Sequence, residues 1–250
     1  MIQYSKSSVR IAELHYDEPA KAGVKADVIR YQWRFEKVRG TFSFALQTRV
    51  IDLSEDPDKL FGRMNAMARR HVRKAAADPV TAVFHSDPSR ALAEQFETFY
   101  SEFARAKQIP GVNRARIDAM RAEGRLCLSR IDNAQGSALV WHAYFRDRGW
   151  ARLLHSASVY RLDHSKDKEA ELARANRLLH WRDMLALREL GVTTYDLGGW
   201  YAGSQDTAKL KINQFKESFG GRVIDLHNTY DAVTMKGRLA VQLHRWKGGE

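Results

Sequence analysis

One cysteine, five prolines and no long apolar run are what this 250-residue chain has little of. A lone Cys127 excludes an intramolecular disulfide, and the nine histidines include no HxxxH or HxH pair beside carboxylates, so no zinc-site spacing is present and no metal is expected. A reducing cytoplasm is the expected location. No stretch approaches the ~18 apolar residues of a membrane span, and the first twenty residues lack the continuous apolar core of a secretory signal. There is no G-x-S-x-G elbow, and Cys127 lies in an apolar, strand-like stretch without an activating partner, which argues against a covalent nucleophile. Internal repeats, low-complexity tracts and evident linkers are absent as well.

Positive charge is abundant. Net charge is +11 and the isoelectric point near 9.8, a balance that favours polyanionic partners: RNA, phosphate-bearing substrates, or loose peripheral contact with an anionic membrane. Arg69, Arg70, Arg73 and Lys74 fall at i, i+1, i+4, i+5, one broad face of a helix. A solvated face accounts for that run, and so does phosphate contact, which makes Arg70, Arg73 and Lys74 the candidate donor-binding residues.

Residues 1–53 look strand-rich, with "VRIAELHY" alternating and "TFSFALQTRVIDL" dense in β-branched and aromatic side chains. Ser54, Glu55 and Asp56 before Pro57 have the form of a helix start, and one helix is expected over 58–78 with Leu60, Met64, Met67 and Val72 inward. A strand, "VTAVFH", precedes a helix whose Leu92, Phe96, Phe99, Tyr100 and Phe103 at helical spacing are a core stripe. Another helix follows over 112–124. Three strands then come in succession, "RLCLSRID", "SALVWHAYFRD" and "WARLLHSASVYRL", with turn signals at 133–136 and 147–149. His142 and His155 lie in these strands, and alternation decides which faces a cleft. A long helix over 166–190, a strand "VTTYDL", a helix "DTAKLKINQFKESFG" with Leu210, Ile212, Phe215 and Phe219 in play, and a strand "RVIDLHNTYD" complete the order.

"TYDLGGWYAGSQDTAKLKINQFKESFGG" places one glycine pair at a strand end and another after a basic amphipathic helix. Gly198 and Gly199, lacking side chains, would let a substrate approach the backbone. Lys216, beside an anchoring Phe215, would present a point charge to a phosphate. A simple turn and a solvated lysine would account for the same residues. Asp196 fits an Arg-paired or capping carboxylate and a group at an acceptor amine equally well.

Three collinear stretches carry a resemblance. "RRHVRKAAADPVTAVF", "ANRLLHWRDMLALRELGVTTYDLGG" and "INQFKESFGG" resemble, in order, motifs of FemA/FemB/FemX-like (FemAB, BioF2-like) acyltransferases of the GNAT superfamily. The resemblance implies an α/β fold, a GNAT-like mixed and largely antiparallel sheet flanked by helices. Residues 1–53 would be a remnant of a first GNAT-like lobe, and residues 54–250 the acyltransferase domain. Asp196 and Lys216 are the candidate catalytic residues and Tyr195, Gly198, Gly199, Phe215 and Asn176 the candidate substrate-binding residues, and the resemblance implies a phosphorylated acceptor held by Lys216. Lys209 and Lys211 have no counterpart in the motif. GNAT enzymes bind the coenzyme A pyrophosphate at a glycine-bearing loop opening the long helix, whereas "YRLDHSKDKEAELARAN" contains no glycine, which counts against a standard acetyl-CoA site.

The expectation is therefore an N-acyltransferase with no tightly bound cofactor, moving an aminoacyl group from aminoacyl-tRNA to an amine on a cell-envelope or secondary-metabolite precursor. Direct attack by the amine needs only proximity and a stabilised oxyanion. An acyl-CoA-dependent transferase acting on an amino sugar, and a non-catalytic tRNA-binding module, stand as alternatives.

Overall fold

A computed structural model describes residues 1–19, 23–159 and 165–246. Strands β1 (Ile2–Lys6), β2 (Val9–His15), β3 (Val28–Arg34) and β4 (Phe42–Asp52) come first, then helices α1 (Pro57–Arg63) and α2 (Ala66–Ala77). Next are β5 (Thr81–His85), α3 (Arg90–Lys107), α4 (Arg114–Ala122), β6 (Leu126–Asp132), β7 (Ala138–Asp147) and β8 (Trp150–Ser158). The chain continues through α5 (Lys166–Glu189), β9 (Thr194–Trp200), α6 (Thr207–Glu217), β10 (Arg222–Ala232) and α7 (Met235–Trp246).

All ten strands join one sheet in the order β1-β2-β3-β10-β4-β9-β8-β7-β6-β5. Every pairing is antiparallel except β2 with β3 and β8 with β9. The sheet is continuous across residue 53, because β4 lies between β10 and β9. The expected mixed α/β architecture, a largely antiparallel sheet flanked by helices, is what the chain forms.

Each face of the sheet carries its own core. On one, α1, α2 and α5 contribute Leu60, Met64, Val72, Leu178, Leu179 and Leu187 against Tyr144, Tyr195 and Leu197. On the other, α3 and α4 contribute Phe96, Tyr100, Ile117 and Met120 against Leu128, Trp141, Phe145 and Leu226. The aromatic stripe of α3 thus fills a core, as its helical spacing predicts.

Local differences from the sequence reading have physical causes. The expected single helix over 58–78 is two: Met64 is extended, and Asn65 begins a new helix by accepting from the Ala68 N–H at 2.8 Å while its own N–H donates to the Ser218 carbonyl at 2.9 Å. After that break Ala68 rather than Met67 faces inward, and Met67 is exposed. Of the apolar residues in and just after α6, Ile212 is exposed and Phe219 buried. The strand expected to reach Leu162 extends to Ser158, and residues 160–164 of the expected donor loop lie outside the described residues. Helix α7 had no counterpart in the sequence reading.

Candidate active site

Strands β8 and β9 pair in parallel only at Trp150↔Thr194, Ala151↔Tyr195 and Arg152↔Asp196. Beyond that point β8 stays with β7 and β9 with β4, and the two separate. Each strand is bulged where they part. The β7–β8 register shifts between Ala143 and Tyr144, leaving Leu154 as the extra residue, and the β4–β9 register shifts between Thr48 and Val50, opposite Leu197 and Gly198. Gly198 has φ +80°, and a Cβ there would lie 3.2 Å from the Leu153 carbonyl oxygen, so only glycine lets β8 and β9 approach closely at the apex of the gap.

A buried polar lock holds this apex. The Asp196 carboxylate pairs with Arg152 Nη1 at 2.5 Å, accepts the Thr48 hydroxyl, and accepts the Gly198 N–H at 2.7 Å. Arg152 also donates to Thr48 Oγ1 at 3.0 Å, with its guanidinium 4.8 Å over the Trp33 ring. Asp196 is fully buried, so the structure places it as the Arg-paired carboxylate. A buried pair of this kind matters through geometry more than net stability.

Two clefts flank the gap under α6. The smaller, about 400 Å³, is lined by Leu153 and Leu197 of the separated strands, Asn176 and His180 of α5, and Phe215 of α6. The larger, about 870 Å³, is lined by Trp33, Arg152, Gly199, Trp200, Tyr201 and Asp225, among others. Alternation along β8 sends Leu153 toward the α5 face and Arg152 toward the Trp33 face, so the clefts open on opposite sides of the sheet. Ile212 and Lys216 line both. The Lys216 ammonium donates to the Gly199 carbonyl. Burial, helped by the nearby Arg152 charge and opposed by Asp196, pushes its pKa down to about 8.

Beneath the smaller cleft runs a chain of buried polar side chains. Asn176 Oδ1 lies 2.8 Å from His142 Nε2, and His142 Nδ1 lies 2.7 Å from Asp183 Oδ2. The Tyr144 hydroxyl donates to the same Asp183 oxygen at 2.6 Å and lies 2.8 Å from the Tyr195 hydroxyl, which is 2.6 Å from His180 Nδ1. Burial first, and then neighbouring His142, Arg177 and Lys216, hold His180 well below the usual imidazole range, while burial and Asp183 hold both tyrosines well above theirs. His180 is therefore a neutral imidazole at the cleft wall, connected through two phenols to a carboxylate.

Of the residues singled out in the sequence, Asn176, Gly199, Phe215 and Lys216 come together at the clefts. Gly198 forms the apex, Asp196 lies in the lock and Tyr195 in the buried chain. Arg70, Arg73 and Lys74 line neither cleft. Arg70 and Lys74 act on His71 together with Arg174 and Arg177, and Arg177 stacks 4.8 Å over Phe215 of the smaller cleft, so a basic surface leads toward it. Arg73 instead lies 5.3 Å over Phe61. His155 packs against Tyr100 and Phe96 on the opposite face from His142. Among the described residues no cluster of metal-ligating side chains occurs, and no helix is long and apolar enough to cross a membrane. The sequence reading named His142 with His155 and left open which faces a cleft, while Tyr144, His180 and Asp183 escaped it. Their signal was Asn176, His180 and Asp183 at i, i+4, i+7 of one helix, beside His142 and Tyr144 at i, i+2 of one strand.

No protein-family model matches the sequence, and no curated protein matches it either. Solved structures do. FemX superposes with a TM-score of 0.60 at 14% identity, over 79% of this chain and 63% of that one. L-PGS from Bacillus licheniformis gives 0.55 at 12%, over 87% and 72%. The C-terminal domain of a putative lysylphosphatidylglycerol synthetase from Agrobacterium fabrum gives 0.51 at 12%, over 80% and 65%. The fold is shared with FemX, in line with the resemblance carried by the three motifs. The chain spans 63% of the length of FemX.

Proposed function

We propose that this protein is an N-acyltransferase that brings an activated acyl ester and an amine together from opposite faces of the sheet, at the gap between β8 and β9. The observation that carries the reading is the meeting of two clefts at Lys216. The fold shared with FemX and L-PGS supports it.

The donor belongs on the α5 side, where Arg177 over Phe215 continues into the basic group of Arg70, Lys74 and Arg174 around His71, which suits a phosphate-rich carrier. Aminoacyl-tRNA is the donor we favour. The acceptor, a phosphorylated envelope or secondary-metabolite precursor, takes the larger cleft. Its amine adds to the acyl carbonyl, and the Lys216 ammonium stabilises the oxyanion that forms. Collapse breaks the ester bond, and the proton lost by the amine ends on the departing hydroxyl. His180, neutral and lining the donor cleft, is placed to carry it. No covalent enzyme intermediate is required.

The test offers labelled aminoacyl-tRNA and, separately, acyl-CoA with a panel of phosphorylated amines. Salt-sensitive tRNA binding with amide formation supports the proposal. Amide formation from acyl-CoA alone would replace the donor and make amino sugars the acceptors to examine. Binding of tRNA with no transfer to any amine would indicate a carrier module and overturn the enzymatic reading.

A further inference from the structure

Helix α7 is amphipathic in an inverted sense. Its inner side is already packed: Val241 and Gly237 are buried against β3 and β10, and a Cβ at Gly237 would lie 1.9 Å from the Asp27 carbonyl oxygen. The Thr234 hydroxyl ahead of it donates to Asp27 Oδ1 at 3.0 Å, and the Val233 N–H donates to the Asp27 carbonyl at 2.9 Å. The helix is thus fixed at its base. Yet Met235, Leu239, Leu243 and Trp246, at i, i+4, i+8 and i+11, are 77%, 58%, 53% and 91% exposed. At ~100° per residue these four fall within about 80° of one another, roughly opposite the buried side. Lys236 flanks the stripe on one side and Arg238 and Arg245 on the other.

An outward apolar stripe between cationic flanks, ending in a tryptophan, is the pattern of a helix that lies in a membrane interface. We propose that α7 docks the protein on an anionic lipid surface, with Met235, Leu239, Leu243 and Trp246 in the headgroup and acyl boundary and the flanking cations on lipid phosphates. Charge favours this occupant, since the net charge of +11 is attracted to an anionic leaflet. A second copy of the chain fits less well, because a face of roughly 18 Å by 10 Å falls far short of the ~800 Å² per partner of a stable dimer. Docking would also set the larger cleft near the bilayer. Arg245 lies 5.7 Å over Phe42, Phe42 is 5.6 Å from Phe44, and Phe44 lines that cleft.

The experiment is co-sedimentation of the whole protein with vesicles of phosphatidylcholine, alone or mixed equally with phosphatidylglycerol. Wild type should pellet with the mixed vesicles at low salt and less at high salt. Leu239→Glu/Leu243→Glu, with unfolding temperature as a check of the fold, should partition at least about tenfold more weakly, the loss of two buried leucines being worth more than that. Arg238→Glu/Lys236→Glu should weaken binding to mixed vesicles without touching the stripe. The proposal fails if wild type ignores phosphatidylglycerol, if both double variants bind like wild type, or if the stripe instead holds a soluble dimer that Leu239→Glu/Leu243→Glu dissolves. Because partition and not turnover is read, it can fail while acyl transfer stands, and the reverse.

Discussion

The Lys216 ammonium reaches from α6 to the Gly199 carbonyl of β9 and closes the gap between the separated strands at the one place where both clefts meet. If acyl transfer takes place at that junction, as proposed, a lysine there would face the reacting centre from either side and should matter to the chemical step more than to the affinity of one substrate.

Lys216→Ala should therefore lower kcat by about 10²–10³, the usual cost of losing one oxyanion donor, with a smaller change in the acceptor KM. Lys216→Arg should recover part of the rate, since a planar fork cannot occupy the same point. Lys209 and Lys211 do not serve as controls, because they line the larger and smaller clefts. Lys107, exposed in the last turn of α3, does. Steady-state kinetics on the three variants decide it, and equal losses at Lys216 and Lys107 would point to a diffuse field instead of a site.

The lowered pKa of Lys216 gives the activity an alkaline limit. Below about 8 the ammonium is present, and above it the oxyanion loses its donor, so kcat should fall through pH 8. Lys216→Arg should remove that limb and keep any acidic one. The same shift bears on stability. The unfolded chain holds this proton up to about 10.5 and the folded chain only to about 8, so the unfolded state binds more protons between those values and the contribution of Lys216 to stability rises with pH across that window. Lys216→Met should flatten that rise in a denaturation series.

The two glycines of "GGW" separate by measurement. Gly198→Val forces a β-branched residue into φ +80° against the Leu153 carbonyl and should cost about 1–3 kcal/mol, seen as a lower unfolding temperature. A glycine that only kept the slot open would tolerate this change without loss of fold, and the positive φ is why a loss is expected. Gly199 has no atom within 4 Å of an added Cβ and lines the larger cleft, so Gly199→Val should leave stability intact and raise the acceptor KM. Normal turnover by Gly199→Val would take the acceptor out of that cleft.

Periodicity made most elements legible, because each buries one face, and the motif around Phe215 and Lys216 marked α6 as a helix bearing site residues. What stayed hidden depends on contacts between distant segments. The break at Asn65 is fixed by Ser218. The lock at Asp196 needs Thr48 and Arg152 from two other strands. Helix α7 carries its larger apolar residues outward and so lacks the inward pattern that identifies a packed helix. The polar stripe Asn176, His180, Asp183 was visible in α5, but its meaning required knowing that β7 crosses beneath it.

That stripe yields the sharpest test of how the site handles a proton. Among the described residues the Tyr195 hydroxyl is the hydrogen-bonded link between His180 and the Tyr144–Asp183 pair. Tyr195→Phe removes it with little change in shape and leaves His180 Nδ1 without its partner, at a stability cost of about 1–3 kcal/mol. If the chain merely fills a core, the loss should be confined to unfolding temperature. If His180 carries the amine's proton, the tautomer fixed by Tyr195 is needed for turnover, and kcat should fall by about 10-fold to 100-fold with KM nearly unchanged. His180→Gln, which cannot cycle a proton, should lose about as much, and the Tyr195→Phe/His180→Gln double variant no more than either alone, because both act on one step. Additive losses, or a Tyr195→Phe variant with normal kcat, would leave the buried chain a packing device and require the proton to pass directly from the amine to the departing hydroxyl.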